Sequence, residues 1–348
     1  MTERLLFILK HRESTWDSYP HSLSSGLLNS VTFAVAMLNS FGIAAKLAEV
    51  PDNNAIDREV TAYQPTHVVI EALWVVPEKF DVLMKLHPSI HWIVRNHSEL
   101  PFLANEGIAF EWLAAYAQRG IEIMSNSPRA VADVTAYLRG CHLNGLLSTS
   151  GPNVYPVADS GPLTPKAAGA SLDIGCFGAV RPLKNQAMQA VAAIALGQEM
   201  RKPVRFHLNS KRMEGGGEPI VKNLRALFAA AKTATLVEHD WMPWPAFRAL
   251  VATMDLVAQV SFSETFNIVA ADAVTMGVPM VCSSEVPFLG AYAQADPTSV
   301  ASIMAAMQAA LSANPVVRLA QQRRDLAAYV QASEKMWVGR FGPGIVSP

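Results

Sequence analysis

Two acidic residues, Glu264 and Asp272, follow a short apolar run, Leu256–Val260, that predicts a buried strand. A polar turn carries Glu264, and the apolar stretch after it predicts a helix over 265–276. Eight positions correspond to about two helical turns, so the spacing predicts that both carboxylates lie on the same side. The first backbone N–H groups of this helix, at Thr265, Phe266, Asn267 and Ile268, can hold an anion such as a phosphate group. The alternative is an ordinary strand–helix unit with two solvated carboxylates.

A second segment, 177–185, places two cations after another predicted strand. Gly178 ends the strand, a tight loop carries Arg181, and Lys184 stands at the start of the next predicted helix. Asn209 lies just past the end of the next predicted strand. Because the ends of parallel strands meet at one edge of a sheet, Asn209 can approach the ligand of these cations. The alternative is a surface loop whose two cations are solvated.

The elements that must position these residues alternate along the whole chain. Short apolar runs, typical of buried parallel strands, are separated by Ala-rich amphipathic stretches, typical of crossover helices. The segment 148–169 is rich in turn residues and interrupts the pattern, which restarts after it. We therefore predict an α/β protein of two Rossmann-like, doubly wound domains that face each other across a cleft, with ligands at the carboxyl ends of the strands. The predicted domains are 1–165 and 170–325, and 326–348 is a final helix that crosses back to the first domain.

The composition excludes several classes of protein. The chain has 348 residues, 51% of them hydrophobic and 16% charged, which suits two buried sheets. A net charge of −1 gives no indication of nucleic-acid binding, although a nucleic acid is not excluded as an acceptor. Three scattered cysteines fit neither a disulfide framework nor a zinc site. No uninterrupted run of about 18 apolar residues predicts a membrane span, and we expect a cytoplasmic protein.

The segment around Glu264 resembles the signature of family 4, the large family of retaining GT-B glycosyltransferases. The family pattern is Ser-x-x-Glu-Gly-Phe-Gly, with a second acid eight positions after the first, and then Gly-x-Pro-Val. Five positions match this pattern, namely Ser261, Glu264, Phe266, Gly277 and Pro279. Asp272 stands in place of the second Glu, Thr265 and Asn267 in place of glycines, and Met280 in place of the Val. The resemblance implies that Glu264 lies near the hydroxyls of the donor sugar and that Asp272 binds the ribose of the nucleotide.

Three further segments resemble the same family. Gly178 and Lys184 match its Gly-Arg-Leu…Lys-Gly loop, whose cations neutralise the donor diphosphate, but Ala179 stands at the arginine position, so Arg181 is the substitute cation. The residues around Gly26 lie where the family keeps a glycine-rich loop. His97 follows an apolar strand, as does the family histidine that contacts the donor sugar. The plain alternatives, an ordinary loop and a structural histidine, stay open for Gly26 and His97.

The resemblance implies transfer of a sugar from a nucleoside-diphosphate sugar to an acceptor, with retention of configuration and without a cofactor. The sequence has no Asp-x-Asp triplet and no cluster of metal ligands, so we expect no metal ion. The acceptor, the base and the sugar are not indicated by any residue pattern.

Three other functions are weighed against this one. The first is an inverting GT-B transferase in which His97 or an acid of the first domain is the general base. The second is a sugar-nucleotide-binding protein that has lost catalysis, which the residues at 179, 265, 267 and 272 favour. The third is a nicotinamide-dependent dehydrogenase, which the absence of Gly-x-Gly-x-x-Gly after the first strand disfavours.

Overall fold

The computed structural model describes residues 3–11, 26–143, 148–160, 166 and 169–342. The chain divides into two compact units. The first comprises the residues up to Tyr155 together with those from Val330, and the second spans Pro156–Tyr329. The boundary at 155/156 falls within the turn-rich segment 148–169, part of which lies outside the described residues. The domain limits predicted at 165, 170 and 325 stay a proposal.

The first unit is built on a parallel sheet of six strands with the order β2-β1-β3-β4-β5-β6. Its strands are β1 (Arg4–Lys10), β2 (Ala44–Val50), β3 (His67–Glu71), β4 (His91–Asn96), β5 (Glu122–Ser125) and β6 (Thr149–Ser150). The five residues from Leu5 to Leu9 are all buried, because helices cover both faces of a parallel sheet. Alternate side chains therefore enter two separate cores, Leu6 and Ile8 on one face and Leu5 and Phe7 on the other.

Among the described residues, six helices of the first unit precede its last strand. They are α1 (Gly26–Ser40), α2 (Ile56–Tyr63), α3 (Pro77–Leu86), α4 (Leu100–Leu103), α5 (Ala109–Gln118) and α6 (Pro128–Gly140). The start of α6 shows why these residues form a helix: Ser127 caps it by accepting the Ala130 N–H at 3.0 Å, and Pro128 occupies the first helical position. Helices α2 and α4 are short, with eight and four residues.

The second unit contains a parallel sheet of five strands with the order β11-β10-β7-β8-β9. Its strands are β7 (Leu172–Gly175), β8 (Val204–Leu208), β9 (Ala234–Glu238), β10 (Leu256–Gln259) and β11 (Met280–Cys282). The chain leaves β7 towards β8 and β9, and then returns to the other side of β7 with β10. The order therefore reverses between β7 and β10, which is where doubly wound sheets bind ligands, outside the carboxyl ends of their strands.

The helices of the second unit surround this sheet. They are α7 (Gln186–Met200), α8 (Gly217–Ala230), α9 (Trp244–Val251), α10 (Ile268–Thr275), α11 (Val300–Ser312) and the first part of α12 (Pro315–Phe341). The sequence analysis placed the final helix at 326–348, whereas α12 begins earlier, at Pro315. The helix continues to Phe341 because Trp337 and Phe341 are both buried in the core of the first unit.

No single helix among the described residues is long and apolar enough to cross a membrane; α11 and α12 pass such a test only as a pair bent by 113°.

Candidate functional site

The loops that follow β7 and β10 meet at the point where the strand order of the second sheet reverses. The Phe262 N–H donates to the Leu183 carbonyl at 2.8 Å, and the Asn185 amide donates to the Val260 carbonyl at 3.0 Å. Gly178 has φ +104°, a conformation that side chains disfavour, so a glycine is needed where the first loop leaves its strand. Asn185 has φ 57° and ends the short turn Pro182–Lys184. These bonds fix the two loops against each other.

Lys184 and Glu264 form an ion pair between these two loops. The Lys184 ammonium donates to Glu264 Oε1, and the side chains are only 12% and 7% exposed. The Asn267 amide donates to the same Glu264 oxygen at 3.2 Å and to Gln259 Oε1 at 2.9 Å. The sequence prediction therefore named three residues, Lys184, Glu264 and Asn267, that the structure brings into contact.

Helix α10 begins later than the sequence predicted. Asn267 has φ 68°, a left-handed conformation that no helix continues, and its side chain accepts the Ala270 N–H at 2.9 Å. The helix therefore begins at Ile268 and not at Thr265. Glu264 lies in the preceding loop, so the argument that two helical turns align Glu264 with Asp272 was wrong. Thr265 also lies in that loop, and its donor-binding role stays a prediction.

Asp272 lies in α10, and only 1% of its surface is exposed. Its Oδ1 accepts a hydrogen bond of 2.7 Å from the indole N–H of Trp244, the first residue of α9. The sequence analysis did not identify Trp244 as a partner of Asp272. The spacing of 28 residues gives no local signal for it.

The loop after β8 supports the glycine turn. Asn209, only 2% exposed, accepts the Gly178 N–H on its side-chain oxygen at 3.1 Å. In the same region the Arg181 guanidinium lies 3.5 Å from a Glu214 carboxylate oxygen, and Arg212 pairs with the other oxygen at 2.8 Å. Asn209 therefore lies beside the predicted site, where its side chain binds the backbone of Gly178.

Phe266 points into a core. Its ring packs against Phe288 and Tyr329 with centroid separations of 5.2 and 5.4 Å, and its surface is 1% exposed. The sequence analysis predicted that Phe266 binds the donor. Because its side chain packs in this core, only the backbone of Phe266 can contact a donor.

In the first unit, His97 lies just past β4 within a buried polar network. Its Nε2 donates to Glu71, and its Nδ1 lies 3.4 Å from the donating amide of Asn126. Glu71 and Arg95 are both fully buried and paired, and Arg95 also donates to the carbonyls of Gly151 and Pro152.

These neighbours shift the pKa values of the network. Burial lowers the pKa of His97, although the Glu71 carboxylate opposes that shift. Burial would raise the pKa of Glu71, but the charge of Arg95 and the interaction with His97 outweigh it, so the pKa of Glu71 is lowered. The carboxylate is therefore ionised and orients the imidazole.

Gly26 is exposed as the first residue of α1, directly after a segment outside the described residues. Gly26 and His97 belong to the first unit, whereas Gly178, Lys184, Glu264 and Asp272 belong to the second. Within the second unit, the structure brings two sets of predicted residues into contact, Lys184 with Glu264 and Asn267, and Gly178 with Asn209. Within the described parts of the chain, no group of three His, Cys, Asp or Glu side chains could hold a metal ion.

Comparison with known proteins gives structural similarity alone. No family model matches the sequence, and no curated protein matches it significantly. Three solved structures illustrate the similarity. The E. coli trehalose-6-phosphate structure bound with UDP-2-fluoro glucose has a TM-score of 0.67 and 10% identity, covering 99% of this chain and 100% of that one.

The UDP-forming trehalose-phosphate synthase of Burkholderia xenovorans in complex with glucose-6-phosphate has a TM-score of 0.65 and 13% identity, over 83% and 75% of the two chains. The N-terminal domain of Candida albicans trehalose-6-phosphate phosphatase has a TM-score of 0.70 and 8% identity, over 98% and 97%. Identities this low establish the fold and no activity. Together with the two parallel sheets, they show that this chain has the GT-B fold.

Proposed function

We propose that the protein is a glycosyltransferase that takes a sugar from a nucleoside-diphosphate sugar bound at the second unit. The observation that carries this proposal is the contact of Lys184, Glu264 and Asn267 at the switch point of the second sheet. A cation, a carboxylate and a helix start at that place suit a donor with a charged diphosphate and a hydroxylated sugar.

Lys184 supplies positive charge for the diphosphate, whose negative charge grows as the bond to the sugar breaks. The N-terminus of α10, eight residues long, adds the partial positive charge of its helix dipole. By resemblance to family 4, Glu264 accepts hydrogen bonds from sugar hydroxyls, Asp272 binds the ribose, and the configuration is retained. No metal ion is needed in this arrangement, because the cation and the helix stabilise the leaving group.

The structural neighbours suggest which ligands to try first. One neighbour is bound with UDP-2-fluoro glucose, and another with glucose-6-phosphate. We therefore propose a UDP-sugar as the donor, with the acceptor bound at the first unit and its identity open. A phosphorylated sugar is the first acceptor to test.

Two alternatives follow from particular contacts. An inverting transferase would use His97 as its base, but both ring nitrogens already face protein partners, Glu71 and Asn126, which argues against that role. A protein that binds sugar nucleotides without turnover is favoured by Ala179 and by the pairing of Arg181 with Glu214, which offsets the charge of the substitute cation.

The test is turnover of UDP-glucose in EDTA, with and without glucose-6-phosphate, measured as released UDP and with the product anomer read by NMR. We expect UDP release that EDTA leaves intact, and an α-linked product if an acceptor sugar is used. Binding of UDP without release from any of several UDP- and GDP-sugars would favour the non-catalytic alternative. Absence of binding by any nucleoside diphosphate would contradict the proposed function.

A further inference from the structure

Two buried side-chain amides, Gln259 and Asn267, connect the loops of the proposed donor site. Gln259 is the last residue of β10, Asn267 directly precedes α10, and only 2% and 6% of their surfaces are exposed. The Gln259 amide donates to the Phe177 carbonyl at 3.1 Å, and its Oε1 accepts from the Asn267 amide at 2.9 Å. The Asn267 amide also donates to Glu264 Oε1 at 3.2 Å. A continuous chain of hydrogen bonds therefore runs from the loop after β7 to Glu264.

The two amides depend on each other. The other residues of β10, 256–258, are all apolar and buried, and a buried amide among them is costly unless its hydrogen bonds are made. Asn267 stands where the family 4 pattern has a glycine, and at φ 68° it adopts a conformation that favours glycine. Its amide nitrogen donates to two acceptors, which is its full capacity, and its oxygen accepts the Ala270 N–H. Gln259 is thus the partner that allows an asparagine side chain to be buried in this loop.

Glu264 Oε1 accepts from two donors of different kinds. The Lys184 ammonium reaches it from the loop after β7, and the neutral Asn267 amide reaches it from the start of α10. In the proposed function a diphosphate attracts Lys184, because an anion attracts an ammonium group much more strongly than it attracts a neutral amide. The Asn267 amide, which Gln259 holds from the other side, stays on Glu264 and keeps its carboxylate oriented.

We propose that Gln259 and Asn267 are a positioning pair for Glu264. Asn267 orients the carboxylate towards the donor sugar once Lys184 has turned to the diphosphate, and Gln259 acts through Asn267. The inference rests on the proposed function, in which Glu264 contacts that sugar. The asparagine at 267, which the family pattern alone counts towards lost catalysis, then belongs to a working donor site.

The chain offers a matched control in Gln322 of α12. It is a fully buried glutamine whose amide, like that of Gln259, donates to a backbone carbonyl, in this case that of Met280 at 3.3 Å. Met280 is the first residue of β11, so this bond lies at the amino end of its strand, whereas the proposed site lies at the carboxyl ends. Gln322→Met removes a buried amide that has no contact with Glu264 or Asn267 among the described residues.

The experiment measures the affinities of UDP and UDP-glucose by calorimetry for the wild type, Asn267→Gly, Gln259→Met, their double variant and Gln322→Met. Glycine adopts φ 68° without strain and is accepted as a helix cap, so Asn267→Gly keeps the loop and removes the amide. We expect its UDP-glucose affinity to fall about tenfold, as loss of a hydrogen bond to a charged group would give, and its UDP affinity to change by less than about twofold.

The other variants test how the pair works. Gln259→Met should cause a smaller loss of the same kind, and the double variant should lose no more than Asn267→Gly alone, because Gln259 acts through Asn267. Gln322→Met should leave both affinities unchanged.

The ratio of the UDP-glucose and UDP affinities is the decisive quantity, because a loop that has only lost packing binds both ligands more weakly. An unchanged ratio in Asn267→Gly, additive losses in the double variant, or a changed ratio in Gln322→Met would overturn the inference. Binding of UDP by the wild type would in each case leave the proposed function standing. If the wild type binds neither UDP nor GDP, the proposed function itself fails, and the inference fails with it.

Discussion

The polar groups at the carboxyl ends of the two sheets are arranged in opposite ways. In the first unit, Glu71, Arg95 and His97 satisfy one another within a buried network whose guanidinium is fully enclosed. In the second unit, Lys184 and Glu264 belong to loops shaped by residues with positive φ, Gly178 and Asn267. The first arrangement is suited to stabilising the fold of its unit. The second is suited to ligand binding, in which contacts between protein groups are replaced by contacts with the ligand.

The largest effect expected from this comparison is on stability, in the first unit. Arg95→Met leaves the buried Glu71 carboxylate without its guanidinium, so we expect a loss of about 3–5 kcal/mol in the free energy of unfolding. Chemical denaturation measures it. Adding Glu71→Gln removes the uncompensated charge and should recover part of the loss. A single variant as stable as the wild type would show that the network contributes little.

Lys184→Ala tests the opposite expectation for the second unit. The variant loses a cation that is proposed to bind the diphosphate, worth roughly 1.5–3 kcal/mol, so UDP should bind on the order of tenfold to a hundredfold more weakly. Arg181→Ala is expected to weaken binding within the same range, because each cation is paired with one carboxylate, Glu214 or Glu264, that the diphosphate would replace. Unchanged UDP affinity in both variants would contradict the proposal that the segment 178–185 binds the diphosphate.

Glu264→Gln separates sugar binding from diphosphate binding. The amide keeps the shape of the side chain but loses the charge that is proposed to accept hydrogen bonds from the sugar. Turnover of the nucleotide-sugar should fall by roughly tenfold to a hundredfold, while the affinity for bare UDP changes much less. Steady-state kinetics and calorimetry on the same preparation give the two numbers. Equal losses in both would show that Glu264 acts on the diphosphate through its partner Lys184.

The smallest effect concerns the end of α12 and its pH dependence. Burial would raise the pKa of Glu122, but hydrogen bonds from His91, Arg340 and Thr149 outweigh it and lower the pKa to about 2. A folded pKa below the ordinary value of about 4.3 gives stability that is present above pH 4.3 and lost as the pH falls towards 2. Arg340→Ala should therefore cost about 1–2 kcal/mol at neutral pH and less at pH 3. Urea denaturation at several pH values measures this, and a cost independent of pH would contradict it.

Much of the fold could be predicted from the sequence because parallel strands and crossover helices have distinct periods. The strand predicted over Leu256–Val260 agrees with β10 to within one residue. The partners of the end of α12 could not be predicted, because Trp337 packs against Phe7, a residue more than 300 positions earlier. Local propensity carries no such information.

The site was predictable only in part. The residue types and spacing identified Lys184 and Glu264, which the structure places in contact. The left-handed conformation of Asn267, which delays the start of α10, was not predicted. The family pattern has a glycine at this position, but an asparagine can also continue a helix. The Trp244–Asp272 bond likewise depends on tertiary structure alone.

The central claim is that the second unit binds a nucleoside diphosphate without a metal ion. Calorimetric titration of the wild-type protein with UDP, once in EDTA and once in Mg²⁺, tests it most directly. The account predicts one site per chain and the same affinity in both buffers, because Lys184 and the start of α10 supply the positive charge. Binding that requires Mg²⁺, or no binding of UDP or GDP in either buffer, would contradict it.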